Sequence, residues 1–486
     1  MPTRTDLRRS AVAPAFRRLP LRSVLVSTVV AATLIGCARA AEVGAPVPTG
    51  AVYPGTTWEG VGNPEAAGWS AEGLARVRDK LSTMSTTGMI AVVGGRVLFE
   101  YGDVEVVSYL ASVRKSVLSM LYGIYEDRGA IDLDDTLGEL GIDDIGGLTP
   151  QEKQATVRHL LMARSGVYHQ ASNSGDDLAR APPRGSQRPG EYYLYSNWDF
   201  NALGTIFEQE TGKNIYDAVG EHIAVPLGFQ DWDRSIHERS GDTTRSVHRA
   251  YHMNFSTRDM ARIGYLMLRE GRWQGRQILP EDWVEESTSA LTPRSEMNPP
   301  QRRNGAFGYG YLWWVFDNPD LPDAFDGAYT GLGAVGQHIL VMPALDLVVA
   351  HKTRPGQGRS VSHGQFLEVM ALLVQAYCGQ SCDDESAAFS TASKSARPAM
   401  ALPRAPTKPE NGRTPARPRR AARGRHGLLG LEFHSPDDEL RRTILERMIF
   451  QREPNVDKRH QVRLALPRGN DRGVAQINHI DAAAVY

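Results

Sequence analysis

The sequence predicts an α+β fold, an antiparallel sheet flanked by helices with a mainly helical region inserted between its halves. Three observations carry this. Two β-rich runs early in the chain are joined by Gly94-Gly95, a hairpin signal. Comparable runs return only in the last third of the domain, close together and separated by short turns. Between the two sets, apolar residues recur at helical spacing, interrupted by polar loops. Strands supplied by both ends, with helices packed on them, bury such a pattern in layers.

Taken in order, Ser70 reads as the N-cap of a helix reaching to about Met84, with Leu74, Val77 and Leu81 on one stripe. Residues 89–93 and 96–101 form the hairpin. Val117, Leu118, Leu121, Ile124 and Tyr125 mark a buried helix that Gly129 closes. Helices are expected at 157–163 and 198–211, with a Pro/Gly loop at 181–185 between them. Phe255-Ser256-Thr257-Arg258-Asp259 caps a helix carrying Met260, Ile263, Leu266 and Leu268. Strands follow at 308–316, 336–342 and 345–352, the last two joined through Pro343-Ala344, and a final helix covers 364–377.

The chain of 486 residues is 41% hydrophobic, enough for a large core. A formal net charge of -1 gives no global field for a nucleic acid. The 13 histidines include no HExxH, and His248 with His252 lacks an acidic partner in the pattern, so no metal or other cofactor is expected. Cysteines stand only at 37, 378 and 382, which is neither a disulfide scaffold nor a zinc framework.

The N-terminus reads as a targeting segment. Arg8, Arg9, Arg17, Arg18 and Arg22 precede an apolar stretch at 23–36, too short for a stable membrane anchor. It ends in Leu34-Ile35-Gly36-Cys37, which resembles the lipobox of bacterial lipoproteins and implies lipidation at Cys37. An ordinary secretory cut near Ala40-Ala41 is the alternative. Either way the expectation is export to the bacterial cell envelope, with membrane attachment through the lipid. In that oxidising compartment Cys378 and Cys382 are expected to pair rather than remain free thiols. Residues 38–65, rich in Gly and Pro, read as a linker, and 66–384 as the domain. Residues 385–486, with their Ala/Pro/Arg composition, read as a disordered tail.

Three stretches carry chemistry. Ser112-Val113-Arg114-Lys115 opens the buried helix, and positions i and i+3 share a helix face, so hydroxyl and amine can meet. A serine hydroxyl needs a neighbouring base to become a nucleophile. Tyr195-Ser196-Asn197 lies in a polar and aromatic loop before a helix; a phenol beside a lysine can act as general base, and the amide can orient that lysine. The glycine-rich stretch from Tyr329 through Gly331 and Gly333 to Ala334 precedes an apolar strand. Glycines there would let a substrate approach a strand edge whose N–H completes an oxyanion hole.

In this order the stretches resemble the serine hydrolases of the β-lactamase and penicillin-binding superfamily. The similarity is greatest to the class C-like branch that includes family VIII carboxylesterases and 6-aminohexanoate-dimer hydrolase. It extends over roughly residues 66–378 and includes the segments 161–166, 197–204 and 256–262. The resemblance implies a β-lactamase-like fold. It implies Ser112 as the acylated nucleophile, Lys115 as proton relay, Tyr195 as general base and Asn197 as orienting residue. It also implies an oxyanion hole from the N–H of Ser112 and that of Ala334, or alternatively Leu332. Tyr168 would line the cleft or serve packing. One departure stands out: where the superfamily places Lys or His before Thr-Gly, this chain has Tyr329. A tyrosine supplies no positive charge for the carboxylate of a β-lactam or D-Ala-D-Ala peptide. The expected substrates are therefore small esters or amides, with peptidase or β-lactamase activity, or a silent wall-fragment binder, as the alternatives.

Overall fold

The computed structural model describes residues 52–356 and 358–379. Its main sheet has seven strands: β1 (Gly88–Val93), β2 (Arg96–Gly102), β3 (Phe307–Tyr309), β4 (Trp314–Phe316), β5 (Tyr329–Gly333), β6 (Gln337–Met342) and β7 (Leu347–Lys352). Their order across the sheet is β2-β1-β7-β6-β5-β4-β3, with every neighbouring pair antiparallel. The N-terminal hairpin is thus stitched to the C-terminal strands, Gly88 opposite Lys352 and Val93 opposite Leu347. Every residue of β6 and β7 is buried, which explains why they read as unbroken apolar runs rather than alternating ones.

The principal helices are α1 (Ala71–Ser82), α2 (Val113–Asp127), α3 (Val157–Leu161), α4 (Asn197–Thr211), α5 (Thr257–Leu268) and α6 (His363–Ala376). Several start where the sequence offers a capping side chain. Ser70 accepts the Gly73 N–H at 3.1 Å, and Ser256 accepts that of Asp259 at 3.2 Å. α5 lies against β1, β6 and β7, and α2 reaches β5 and β6. On the other side, α6 places Phe366 flat against His338 of β6, with ring centroids 3.8 Å apart, and α1 packs on α6. The inserted region, from α3 through α4 to Phe255, is helical with two- and three-residue strand pairs.

Three expectations need correction. The run 308–316 is not one strand but two, β3 and β4, folded back on each other with Trp314 opposite Tyr309. Between them Tyr311 N–H bonds the Ser287 carbonyl at 2.9 Å, and Leu312, at φ 63°, bonds the Leu161 carbonyl at 3.2 Å. These tertiary anchors, invisible to hydrophobic periodicity, break the run. The glycine-rich stretch does not lead into the next strand but is itself a strand, β5, separated from β6 by a turn at 334–336. Nor is all of 38–65 a free linker. Val52 N–H bonds Gly94, Val61 N–H bonds Val97, and Val97 N–H bonds the Glu59 carbonyl, at 2.7–3.0 Å. Arg262 holds the Gly55 carbonyl at 2.9 Å, and Tyr53 packs edge-on against Tyr265 and Trp273. The Gly/Pro composition masked a segment whose backbone is paired along the hairpin edge. Cys37, Cys382 and the tail 385–486 lie outside the described residues.

Candidate active site

The site is built around the start of α2. The two-residue strand Ser108–Tyr109 pairs with Asn254–Phe255, and the buried Lys352 donates to the Ser108 carbonyl at 2.6 Å and to that of Phe255. That brace leads into Ala111, held at φ 49°, a left-handed value that a non-glycine residue adopts only when its surroundings enforce it. Ser112 follows as the N-cap of α2, 9% exposed, with Lys115 one turn on and 1% exposed.

The helix spacing does bring the two together. Lys115 Nζ lies 3.0 Å from Ser112 Oγ, 2.6 Å from the Tyr195 hydroxyl and 2.8 Å from Asn197 Oδ1. Three residues far apart in sequence converge on one amine. Burial pushes the Lys115 amine well below its ordinary range, the adjacent Arg114 charge adds to this, and Asp176 opposes it. An amine depressed in this way holds a lone pair that can accept the serine proton.

The partners are fixed in turn. Asn197 opens α4, donates its side-chain amide to the Ser174 carbonyl at 2.9 Å and its backbone N–H to Asp176 at 3.1 Å. With its amide nitrogen so engaged, its oxygen faces the lysine, an orientation this network assigns. Asn197 Oδ1 is thereby held against Lys115 Nζ. The Tyr195 ring packs against Phe200, Trp314 and Tyr309 at centroid distances of 4.8, 5.5 and 6.3 Å. Lys115 Nζ sits 4.3 Å from the centroid of Phe200.

The glycines of β5 act differently from expectation. A Cβ on Gly331 would lie 3.0 Å from Ser116 Oγ, and one on Gly333 would lie 2.6 Å from the Leu110 carbonyl and 3.1 Å from Ser112 N. The room they leave is taken by the start of α2, not left open for a ligand. This close approach sets β5 beside Ser112. Phe316 N–H bonds the Ala328 carbonyl, so the backbone groups of 328, 330 and 332 address the β4 side of β5. β4 begins at Trp314, opposite Thr330, which leaves Leu332 beyond the paired stretch, whereas Ala334 falls in the turn. Tyr329 is 4% exposed and packs edge-on against Trp313, and burial pushes its hydroxyl up, so it is a neutral wall of the core. The Tyr168 hydroxyl is buried, has no hydrogen-bond partner among the described residues, and has Asp199 and Tyr192 as ionisable neighbours. Cys378 is disulfide-bonded. His248 and His252 serve separate networks: the first bonds Thr205 and the Asp143 carbonyl, the second the Tyr109 hydroxyl.

Sequence reasoning missed Asp176, which receives the backbone N–H of Asn197 and shares the field of Lys115. No motif marks it in its polar loop. It also passed over Arg114, inside the tetrad itself.

This sheet, with a serine, a lysine and a tyrosine gathered where the insert meets it, is the framework of a serine-hydrolase fold. A model of the Beta-lactamase family matches residues 79–354, more than half of the chain, and the protein belongs to that family, whose members are serine hydrolases on a β-lactamase-like fold. Among curated relatives, an uncharacterized protein of Alkalihalophilus pseudofirmus is 26% identical over 260 residues, 49% of this chain and 71% of that one. The 6-aminohexanoate-dimer hydrolase of Paenarthrobacter ureafaciens is 29% identical over 170 residues, 34% of this chain but only 40% of its own length. Among solved structures, the hydrolase EstCE1, described as having promiscuous acyltransferase activity, matches at 16% identity and a TM-score of 0.46, covering 64% of this chain and 99% of that one.

Proposed function

We propose that the protein hydrolyses small esters or amides through an acyl-enzyme on Ser112. The observation that carries this reading is the convergence of Ser112, Tyr195 and Asn197 on the buried Lys115 amine at 2.6–3.0 Å. Ser112 Oγ attacks the substrate carbonyl as its proton passes to Lys115 Nζ, the base in direct contact with it. Tyr195 gives its proton to the departing alcohol or amine and is reprotonated from Lys115. The carbon–oxygen or carbon–nitrogen bond breaks and the acyl group stays on Ser112. Water then enters along the same path in reverse, its proton drawn off by Tyr195 and Lys115. Lys115 thus shares and relays the serine proton with Tyr195. The developing oxyanion would be met by the N–H groups of Ser112 and Leu332; Leu332 lies within β5, whereas Ala334 falls in the turn after it.

Tyr329 supports the choice of substrate. A buried neutral phenol offers no positive charge to a substrate carboxylate, and so favours uncharged esters or simple amides over β-lactams. The test is a panel of p-nitrophenyl butyrate, a linear amide, a cephalosporin and a D-Ala-D-Ala peptide, run with wild type and Ser112→Ala. Ester or amide turnover abolished in the variant supports the reading. Equal turnover by both, or turnover of the cephalosporin alone, contradicts it. We also propose that the N-terminal segment exports the chain and that Cys37 anchors it.

A further inference from the structure

We propose that Arg114 is a positioning residue for acylation: it holds the left-handed turn that aims the Ser112 N–H, and it sets an unpaired positive charge beside Lys115. The inference rests on the reading of Ser112 as nucleophile.

The geometry is specific. Arg114 is 1% exposed, as deeply buried as Lys115. Its Nη1 donates to the Ala111 carbonyl at 3.0 Å, and its guanidinium lies 5.2 Å from the centroid of Tyr251. Its Nε and Nη2 are buried with no hydrogen-bond partner among the described residues. A guanidinium left short of partners in the interior is costly, and one with neither carboxylate nor full hydrogen bonding calls for a reason. Two are visible. Ala111 is the residue at φ 49°, directly before the nucleophile, and its carbonyl is what Arg114 grips. Fixing that peptide fixes the direction of the next N–H, which belongs to Ser112. The second reason is charge. Lys115 must be neutral to accept the serine proton, and the cation beside it disfavours its ammonium form.

The groups facing this pair do not cancel the charge. Tyr251, Tyr216 and His252 face Arg114 from the inserted region. All three are neutral at pH 7: burial pushes the tyrosine hydroxyls up, Tyr216 to about 12, and lowers His252 to about 3. Among the described residues Arg114 forms no salt bridge. Tyr195 and Asp176 face Lys115, and burial raises the Asp176 carboxyl, weakening its opposing pull.

The experiment measures the pH dependence of kcat/KM with p-nitrophenyl butyrate in wild type, Arg114→Gln and Arg114→Lys. Fluorophosphonate labelling of Ser112 is followed in parallel. Glutamine keeps a donor but loses the charge, so Lys115 holds its proton to higher pH and the acidic limb moves up by about one pH unit. Lysine keeps the charge, so the limb stays in place while kcat falls as the hold of Nη1 on the Ala111 carbonyl is lost. An unmoved limb in the glutamine variant, or an equal shift in the lysine variant, overturns the proposal. Should Arg114→Gln not fold, it is paired with Ala111→Gly, which adopts the left-handed turn unaided. The same shift is expected there. Labelling that survives in Ser112→Ala would instead defeat the reading of the nucleophile, whatever the limb does.

Discussion

At the residue scale, the proposed chemistry hangs on Lys115, whose amine meets Ser112, Tyr195 and Asn197. Removing its amine in Lys115→Met should cut kcat/KM for a p-nitrophenyl ester by about 10²–10⁴-fold, the usual contribution of a positioned acid–base group, with the fold retained. Tyr195→Phe should lose activity in the same range, because it keeps the ring that packs on Phe200 and Trp314 and deletes only the hydroxyl. Steady-state kinetics on both variants, with circular dichroism as the control for folding, checks this. A variant retaining wild-type kcat/KM would remove that residue from the mechanism. The tetrad and the Tyr-x-Asn were legible because chemistry restricts which residue types can serve. What the residues could not reveal was who touches whom. Lys115 lies between Ser112 and Tyr195, and Asn197 spends its amide on Ser174. Such contacts join positions some 80 residues apart, and no local pattern encodes them.

At the scale of elements, β5 and the histidine-bearing strands make two predictions. Gly333→Ala would bring a methyl to 2.6 Å from the Leu110 carbonyl and 3.1 Å from Ser112 N. One of them must shift, at a cost of about 1–3 kcal/mol in stability. Thermal unfolding and ester turnover should both fall, and a variant normal in both would detach the glycine from the nucleophile. The glycines were visible in the sequence, but their purpose was not. A missing side chain shows that something comes close, not whether it is a ligand or another helix.

The second prediction concerns acid. His338 and His351 face each other across β6 and β7, and His363 of α6 stacks on His338. Burial lowers His351 and His363 to about 4 and His338 well below its usual value. All three are therefore neutral in the fold, while an unfolded chain takes up their protons below about pH 6.5. Stability contributed by the neutral forms is present above that pH and is lost as pH falls from 6.5 towards 4. Each histidine contributes up to about 1.4 kcal/mol per pH unit. Urea midpoints at pH 7.5, 5.5 and 4.5 should decline steeply, and His351→Asn should flatten the decline. A pH-independent midpoint would contradict the burial.

For the whole molecule, a sheet built from both chain ends was legible because burial on two faces leaves unbroken apolar strands. The boundaries that failed did so for tertiary reasons. Ser287 and Leu161 supply the carbonyls that split residues 308–316, and the edge of β2 recruits 59–61 from what reads as linker. Among the described residues no helix is long and apolar enough to cross a membrane. The attachment proposed above is through Cys37, and Cys37→Ser should release the chain from the membrane fraction; a variant that stays there would place the anchor elsewhere.

The central claim is that Ser112 is the residue acylated in turnover. Peptide mapping by mass spectrometry after brief reaction with a p-nitrophenyl ester, quenched in acid, tests it most directly. An acyl mass is expected on the peptide containing Ser112, formed with a burst of p-nitrophenol and absent in Ser112→Ala; an acyl group on another residue, or full turnover without any adduct in the variant, would overturn the assignment.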